Sequence, residues 1–332
     1  MSSGTGVAAR PSPARFVRPE LRRLHAYTLE QTECRFKLDQ NEVPWDLPAD
    51  LKELALAQLR RRDWARYPDF HGDELRRALG RRLDWPMEGI LVGNGSNELL
   101  GVALEALAGP GAEVVGFLPS FGLYEMFVRR TGAEPRFLPP RADLAVPVAE
   151  LRDEIARDPT RPVLLCSPNN PTGAAIAVAE LEELLSALDA PLLLDNAYAE
   201  FCDQDYRPLL DRCPNLVVFR TFSKAWSLGG MRLGYLLAAP ELVAELMKVK
   251  LPYNLNHAAV AAGSVVLAAH HRAERRVAVI LGRRRQFLEM LEEAGLRVPP
   301  SQGNFLLVSA APGADDEAAS VESRRIRDGL AA

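Results

Sequence analysis

From Gly89 onward the chain alternates short apolar runs with amphipathic stretches. The runs are Ile90 to Val92, Ala112 to Leu118, Pro135 to Leu138, Pro162 to Cys166, Pro191 to Leu194, Leu216 to Phe219 and Leu233 to Leu237. Between several of them lie Glu98 to Ala108, Val148 to Arg157 and Val178 to Leu188, with apolar residues at three and four spacing. Strand, helix, strand in repetition predicts an α/β chain whose mostly parallel sheet is covered by helices on both faces. Gly109-Pro110-Gly111 and Pro168 to Gly173 fall where one pattern gives way to the next, as turn chemistry requires.

After Asn256 the pattern changes. Two helical stretches, Ala258 to Ala269 and Arg272 to Ala294, follow without a strand between them. The second predicts a long helix that crosses from a large domain into a smaller one, and Phe305 to Ser309 predicts a strand of that smaller domain. The segment before Asp39 is expected to pack with it. The expected division is residues 1–39 as an N-terminal arm and part of the small domain, 40–255 as the large domain, and 256–332 as the rest of the small domain. Met1 to Arg23, rich in Ser, Gly, Pro and Arg, reads as a disordered tail, with a transit peptide as the alternative.

Composition narrows the function. The chain has 332 residues, 48% of them hydrophobic, and a net charge of -4 with arginines scattered among acidic residues. A substantial core is available, and no sustained basic face points to nucleic acid. Cys34, Cys166, Cys202 and Cys213 form no Cys-x-x-Cys pair and no metal spacing with histidine, so they read as reduced thiols and no metal is implied. His270-His271 reads as solvent-facing. No apolar stretch approaches the ~20 residues that span a bilayer, and the N-terminus lacks the apolar centre of a secretory signal. A soluble cytoplasmic enzyme is expected, and Asn94-Gly95-Ser96 is then a chance sequon.

Ligands of open parallel sheets gather at the carboxyl ends of the strands. Gly95-Ser96, Asn170, Asp195 and Ser223-Lys224 each lie at or just past the end of a different apolar run, so the pattern brings them together. Lys224, beside small hydroxyls, suits a Schiff-base amine whose pKa partial burial would lower. Arg232 offers a planar fork of donors suited to a phosphate. Plainer readings stand beside these: a surface lysine, a structural arginine in a Gly-rich turn, a helix cap for Asp195 and a simple turn for Asn-Pro-Thr-Gly. Glu98 occupies the place of the third glycine in a dinucleotide fingerprint, which disfavours a nicotinamide enzyme.

In chain order, Gly93-Asn94-Gly95-Ser96-Asn97-Glu98, Asn169-Asn170-Pro171-Thr172-Gly173, Asp195-Asn196-Ala197-Tyr198, Ser223-Lys224-Ala225-Trp226 and Met231-Arg232-Leu233-Gly234-Tyr235 resemble the pyridoxal-phosphate aminotransferases of fold type I. The resemblance covers nearly the whole chain. It implies pyridoxal 5'-phosphate as cofactor, held in the 40–255 domain, with Lys224, Asp195 and Tyr198 as the catalytic set. Lys224 would carry the cofactor and shuttle a proton, and Asp195 would keep the pyridine nitrogen protonated. Asn170 and Tyr198 would hydrogen-bond the ring hydroxyl oxygen. The phosphate would sit on the backbone of Gly95, Ser96 and Asn97 with Thr221, Ser223 and Arg232. Phe121, in Pro119-Ser120-Phe121-Gly122-Leu123-Tyr124, stands where the family stacks an aromatic ring. Tyr67, in Tyr67-Pro68-Asp69, would reach the neighbouring subunit's cofactor phosphate, which implies a homodimer.

Lys37-Leu38-Asp39-Gln40-Asn41-Glu42-Val43-Pro44, Arg66-Tyr67-Pro68-Asp69 and Leu251-Pro252-Tyr253-Asn254-Leu255-Asn256 are similar to phrases of the histidinol-phosphate aminotransferase branch. That branch exchanges an amino group between glutamate and imidazole-acetol phosphate, and Tyr27, Asn41 and Asn170 match its substrate-side positions. Its members continue past a strand like Phe305 to Ser309 into a helix and a further strand bearing an anion-binding arginine. Here no equivalent strand is recognisable before Ala332; Arg324, Arg325 and Arg327 are the candidates to replace it, beside the plainer reading of a basic helix end. A decarboxylase of threonine phosphate, which shares the motifs, and a truncated non-catalytic relative are the alternatives.

Overall fold

A strand buried on both faces reads as an unbroken apolar run, and the computed structural model, which describes residues 12–28 and 36–309, places these runs side by side. Seven strands form one sheet: β1 (Ile90–Gly93), β2 (Glu113–Phe117), β3 (Glu134–Leu138), β4 (Val163–Cys166), β5 (Leu192–Asp195), β6 (Leu216–Thr221) and β7 (Gly234–Leu237). Their order is β1-β7-β6-β5-β4-β2-β3. All neighbours are parallel except β7, which runs antiparallel to both β1 and β6. Register pairs Cys166 with Asp195 and Asp195 with Phe219, so β4, β5 and β6 finish close to one level and their following loops leave from one edge.

The described helices are α1 (Pro19–Arg22), α2 (Ala49–Arg60), α3 (Asp73–Leu83), α4 (Gly95–Leu107), α5 (Tyr124–Thr131), α6 (Val148–Arg157), α7 (Val178–Ala187), α8 (Pro240–Leu246), α9 (His257–Ala268) and α10 (His270–Glu293). Alternate strand residues serve opposite faces, as the pleat dictates. Val163, Leu165, Leu192 and Leu194 join Leu151 and Ile155 of α6 and Leu181 and Leu184 of α7 in one core. Leu164, Leu193, Val217 and Phe219 join Leu99, Leu100 and Leu104 of α4 and Phe127 and Val128 of α5 in the other.

Two expectations are corrected. Phe305 to Ser309 is not a strand of any extent: Ser309 makes a single bridge with Arg297. Side chains take up the backbone acceptors nearby, with the Ser301 hydroxyl donating to the Phe305 carbonyl (2.7 Å) and Arg284 to that of Gly303 (2.6 Å). Residues 12–23 are also not an irregular tail throughout. Pro13–Phe16 forms a 3-10 turn capped by Ser12, α1 starts on Pro19, and Arg18 donates to the Arg130 carbonyl at the end of α5 (2.9 Å). Proline at the first turn pre-sets the helical φ, which the compositional reading overlooked.

Candidate active site

Asp195 is the last residue of β5, and its side chain is only 4% exposed. The Tyr124 hydroxyl donates to Oδ2 (2.7 Å) and the Ala197 amide to Oδ1 (3.2 Å). Burial pushes the carboxyl above the usual range, while these two donors and the positive charge of Lys224 oppose that shift. Asp195 takes part in no ion pair among the described residues. It is a desolvated acid that lacks a full counter-charge.

Tyr198 follows on the same loop and is 3% exposed. Its hydroxyl oxygen accepts from Nδ2 of Asn41 (3.0 Å) and Nδ2 of Asn170 (3.3 Å). With both lone pairs taken, the phenolic proton is left to donate elsewhere. Burial pushes the phenol upward, so it stays protonated at neutral pH. Asn41 itself has φ 52°, and its carbonyl accepts from Nδ2 of Asn304 (2.9 Å), which fixes the segment entering the site.

Lys224 lies just beyond β6, with Nζ 5.7 Å from the centroid of the Tyr198 ring and donating to the Gln40 carbonyl (2.5 Å). Burial lowers its pKa; Glu42 and Asp195 pull the other way. A larger neutral fraction makes the amine a better nucleophile.

The N-terminus of α4 forms the fourth side. Gly95 has φ 77°, and no side chain caps the helix. Arg232 donates to Ser223 Oγ (3.2 Å) and the Gly229 carbonyl (3.0 Å), and its Nη2 would lie 2.7 Å from a Cβ on Gly95. A guanidinium over uncapped helix amides is an anion site by both charge and dipole. Thr221 Oγ1 accepts from the Ser223 amide (3.1 Å), holding that turn. Gly234 of β7 lies so near that a Cβ there would press on the Ser96 nitrogen and come within 2.5 Å of the Gly95 carbonyl carbon. Gly234→Ala is therefore expected to lower the stability of the chain by about 1–3 kcal/mol in urea denaturation, because backbone must move to admit the methyl.

Phe121 is half-buried, its ring 5.5 Å from that of Tyr124 at near right angles. The loops after β2 and β4 are pinned together by Ser120 Oγ donating to Asn169 Oδ1 (2.8 Å) and Asn169 Nδ2 donating to the Pro119 carbonyl (2.9 Å). The structure thus gathers Gly95, Ser96, Asn97, Asn170, Asp195, Tyr198, Thr221, Ser223, Lys224 and Arg232 at the ends of the central strands and at the start of α4. It does not bring in Tyr27, which is 61% exposed and makes no hydrogen bond to this group. Tyr67 is 80% exposed and stacks on Tyr253 with centroids 4.7 Å apart. Arg324, Arg325 and Arg327 lie outside the described residues. Sequence reasoning missed Tyr124 and Asn304. Tyr124 stands three residues past Phe121 at a helix start, a weak signal; Asn304 gave none.

Residues 35–328 match the family model described as aminotransferase class I and II. The chain is 38% identical over 304 residues to a histidinol-phosphate aminotransferase of Chlorobium phaeovibrioides, covering 91% of this chain and 84% of that one. It is 35% identical over 294 residues to that of Thermococcus kodakarensis, covering 89% and 85%. Among solved structures, histidinol-phosphate aminotransferase from Sinorhizobium meliloti in complex with pyridoxal-5'-phosphate aligns with TM-score 0.85 at 24% identity, over 95% of this chain and 87% of that one. A Thermus thermophilus aspartate aminotransferase mutant aligns with TM-score 0.79 at 21% identity, over 95% and 89%. The structural matches establish a shared fold.

Proposed function

This chain belongs to the aminotransferase class I and II family, and on that footing we propose that it is a histidinol-phosphate aminotransferase. It exchanges an amino group between L-histidinol phosphate and 2-oxoglutarate, giving imidazole-acetol phosphate and L-glutamate. The observation that carries this reading is the half-buried Lys224 amine, set against the Tyr198 ring and in the field of a buried Asp195. The cofactor is pyridoxal 5'-phosphate, which when bound supplies an aldehyde for an amine and an electron-withdrawing ring.

The residues present fit that group. Asp195, desolvated and without an ion pair among the described residues, suits a protonated pyridine nitrogen. The uncapped start of α4, kept bare by Gly95 and Gly234, suits a phosphate bound by the amides of Gly95, Ser96 and Asn97 with Thr221, Ser223 and Arg232. Tyr198, its oxygen already accepting from Asn41 and Asn170, keeps a proton that it would donate to the ring hydroxyl oxygen. Phe121 supplies a face for stacking. Lys224 Nζ would hold the cofactor and, once displaced by the substrate's amine, would be the free base placed to move a proton away from the amine-bearing carbon and back. Asn41 and Asn170, both on the Tyr198 hydroxyl, are assigned to the substrate side, and Tyr67 to the phosphate of a second copy's cofactor.

A homodimer accords with the exposed aromatic patch of Trp64, Tyr67, Phe70 and Tyr253. Among the described residues no helix is long and apolar enough to cross a membrane, and we place the enzyme in the cytoplasm with small-molecule partners only. We assign the sheet and the helices on it to a large domain, 40–255; the described part of the N-terminal arm meets that domain, Arg18 donating to the Arg130 carbonyl, and not a separate smaller one.

Half-reactions test this assignment. The protein loaded with pyridoxal 5'-phosphate should change to the pyridoxamine spectrum on adding either glutamate or histidinol phosphate, and 2-oxoglutarate should reverse it. A response to glutamate with none to histidinol phosphate would remove the substrate assignment, and carbon dioxide release from threonine phosphate would replace it.

A further inference from the structure

Tyr124 is the first residue of α5, 2% exposed, in the apolar core on the α4 and α5 face of the sheet. Its hydroxyl donates to Asp195 Oδ2 (2.7 Å) across 71 residues of chain. We propose that Tyr124 is a positioning residue of the transamination site, whose buried O–H fixes the direction of the Asp195 carboxylate and keeps it charged. The inference rests on the functional reading above and adds to it a residue that carries no motif.

Asp195 is faced by four titratable groups. Cys166 lies beside it across the β4–β5 pair, Tyr124 comes from α5, and Tyr198 and Lys224 come from the loops after β5 and β6. Cys166 directs its thiol proton at the Pro168 carbonyl (3.2 Å), and burial pushes that thiol upward, so it brings no charge. The Tyr198 hydroxyl belongs to Asn41 and Asn170. Tyr124 therefore supplies the side-chain hydrogen bond to the carboxylate among the described residues, with the Ala197 amide on the other oxygen.

Tyr124 is suited to this task in two ways. Desolvation, with Asp195 nearby, holds the phenol well above its ordinary pKa, so it remains a donor throughout the working range. Its amide is bonded to the Phe121 carbonyl (3.0 Å) and its ring meets that of Phe121, so the donor cannot drift from the turn that carries the stacking residue. Remove the O–H, and a desolvated carboxylate competes for the proton that should stay on the pyridine nitrogen. The ring would then withdraw electrons less strongly.

The test uses the full chain with Tyr124→Phe, which keeps the ring, and Tyr124→His, which keeps a donor. In the cofactor-free protein, the infrared band of the protonated Asp195 carboxyl, identified by its loss in Asp195→Asn, is titrated. Tyr124→Phe should move its midpoint up by about one pH unit, and Tyr124→His should stay near the parent. In protein loaded with ring-15N pyridoxal 5'-phosphate, Tyr124→Phe should shift the nitrogen resonance towards the unprotonated position. It should also lower kcat about tenfold with KM for glutamate within about twofold. An unmoved infrared midpoint in Tyr124→Phe overturns the proposal whatever the activity does. A moved midpoint in a chain that takes up no pyridoxal phosphate supports the anchoring of Asp195 and defeats the functional reading instead.

Discussion

Lys224→Ala is expected to abolish covalent retention of pyridoxal 5'-phosphate after borohydride reduction and to lower kcat by roughly 10⁴-fold. The size of the effect follows from two roles placed on one nitrogen, the cofactor's attachment and the proton transfer at carbon. No other lysine is situated to replace it. Lys250 is more deeply buried than Lys224, but its Nζ is held by the Leu251 carbonyl (2.8 Å) and Asn254 Oδ1 (3.0 Å). Lys37 is paired with Glu42 (2.6 Å) and Asp39 (3.1 Å), and Lys52 and Lys248 are exposed in surface ion pairs. Mass mapping of the reduced protein should place the label on Lys224 in the parent and nowhere in the variant. A label that persists in Lys224→Ala sinks the assignment. In the parent, the rate of capture should reach half its maximum below pH 10.5, since burial lowers the amine's pKa and enlarges the reactive neutral fraction.

Asp195→Asn ranks next, with an expected loss in kcat of roughly 10² to 10³-fold. Removing one partner of a buried ion pair costs about 3–5 kcal/mol, although part of that is expressed in cofactor binding as well as in rate. The cofactor-free protein gives a second, independent reading. Burial raises the folded-state pKa of Asp195 above its unfolded value near 3.8. The folded chain therefore keeps this proton more tightly than the unfolded one. The resulting contribution to stability is complete below the unfolded pKa and is lost as pH rises through the folded pKa. Urea denaturation of the parent across that window should show this falling component, and Asp195→Asn should lack it. Identical pH slopes in the two proteins would mean that the acid is not held in a desolvating environment.

The legible parts of this chain are those where a single physical demand acts locally. The central strands β4, β5 and β6 were readable because they are buried on both faces, and Val148 to Arg157 was readable end to end because its apolar residues recur with helical spacing after Pro147. The helices Ala49–Arg60 and Asp73–Leu83 gave no start signal of the usual kind: one is capped by Pro48 and the other by Gly72 at φ 69°, neither with a side-chain acceptor. In the site, the residues at strand ends could be found because the alternation of elements sends those ends to one edge. The pairings of Tyr124 with Asp195 and of Asn304 with Asn41 could not, since they join positions 71 and 263 residues apart. The strand expected at Phe305 to Ser309 failed for a related reason. An apolar run shows what is buried, but whether its carbonyls meet a neighbouring strand or side chains such as Ser301 and Arg284 depends on partners elsewhere.

During synthesis Asn41 leaves the ribosome long before Asn304, the residue 263 positions later whose amide holds its carbonyl. Vectorial emergence thus delivers the sheet, Lys224 and Asp195 first, and the clasp on the entering segment afterwards. A nascent polypeptide halted before Asn304 would possess Lys224, Asp195 and Tyr198 and yet lack the brace that steadies Asn41 against the Tyr198 hydroxyl.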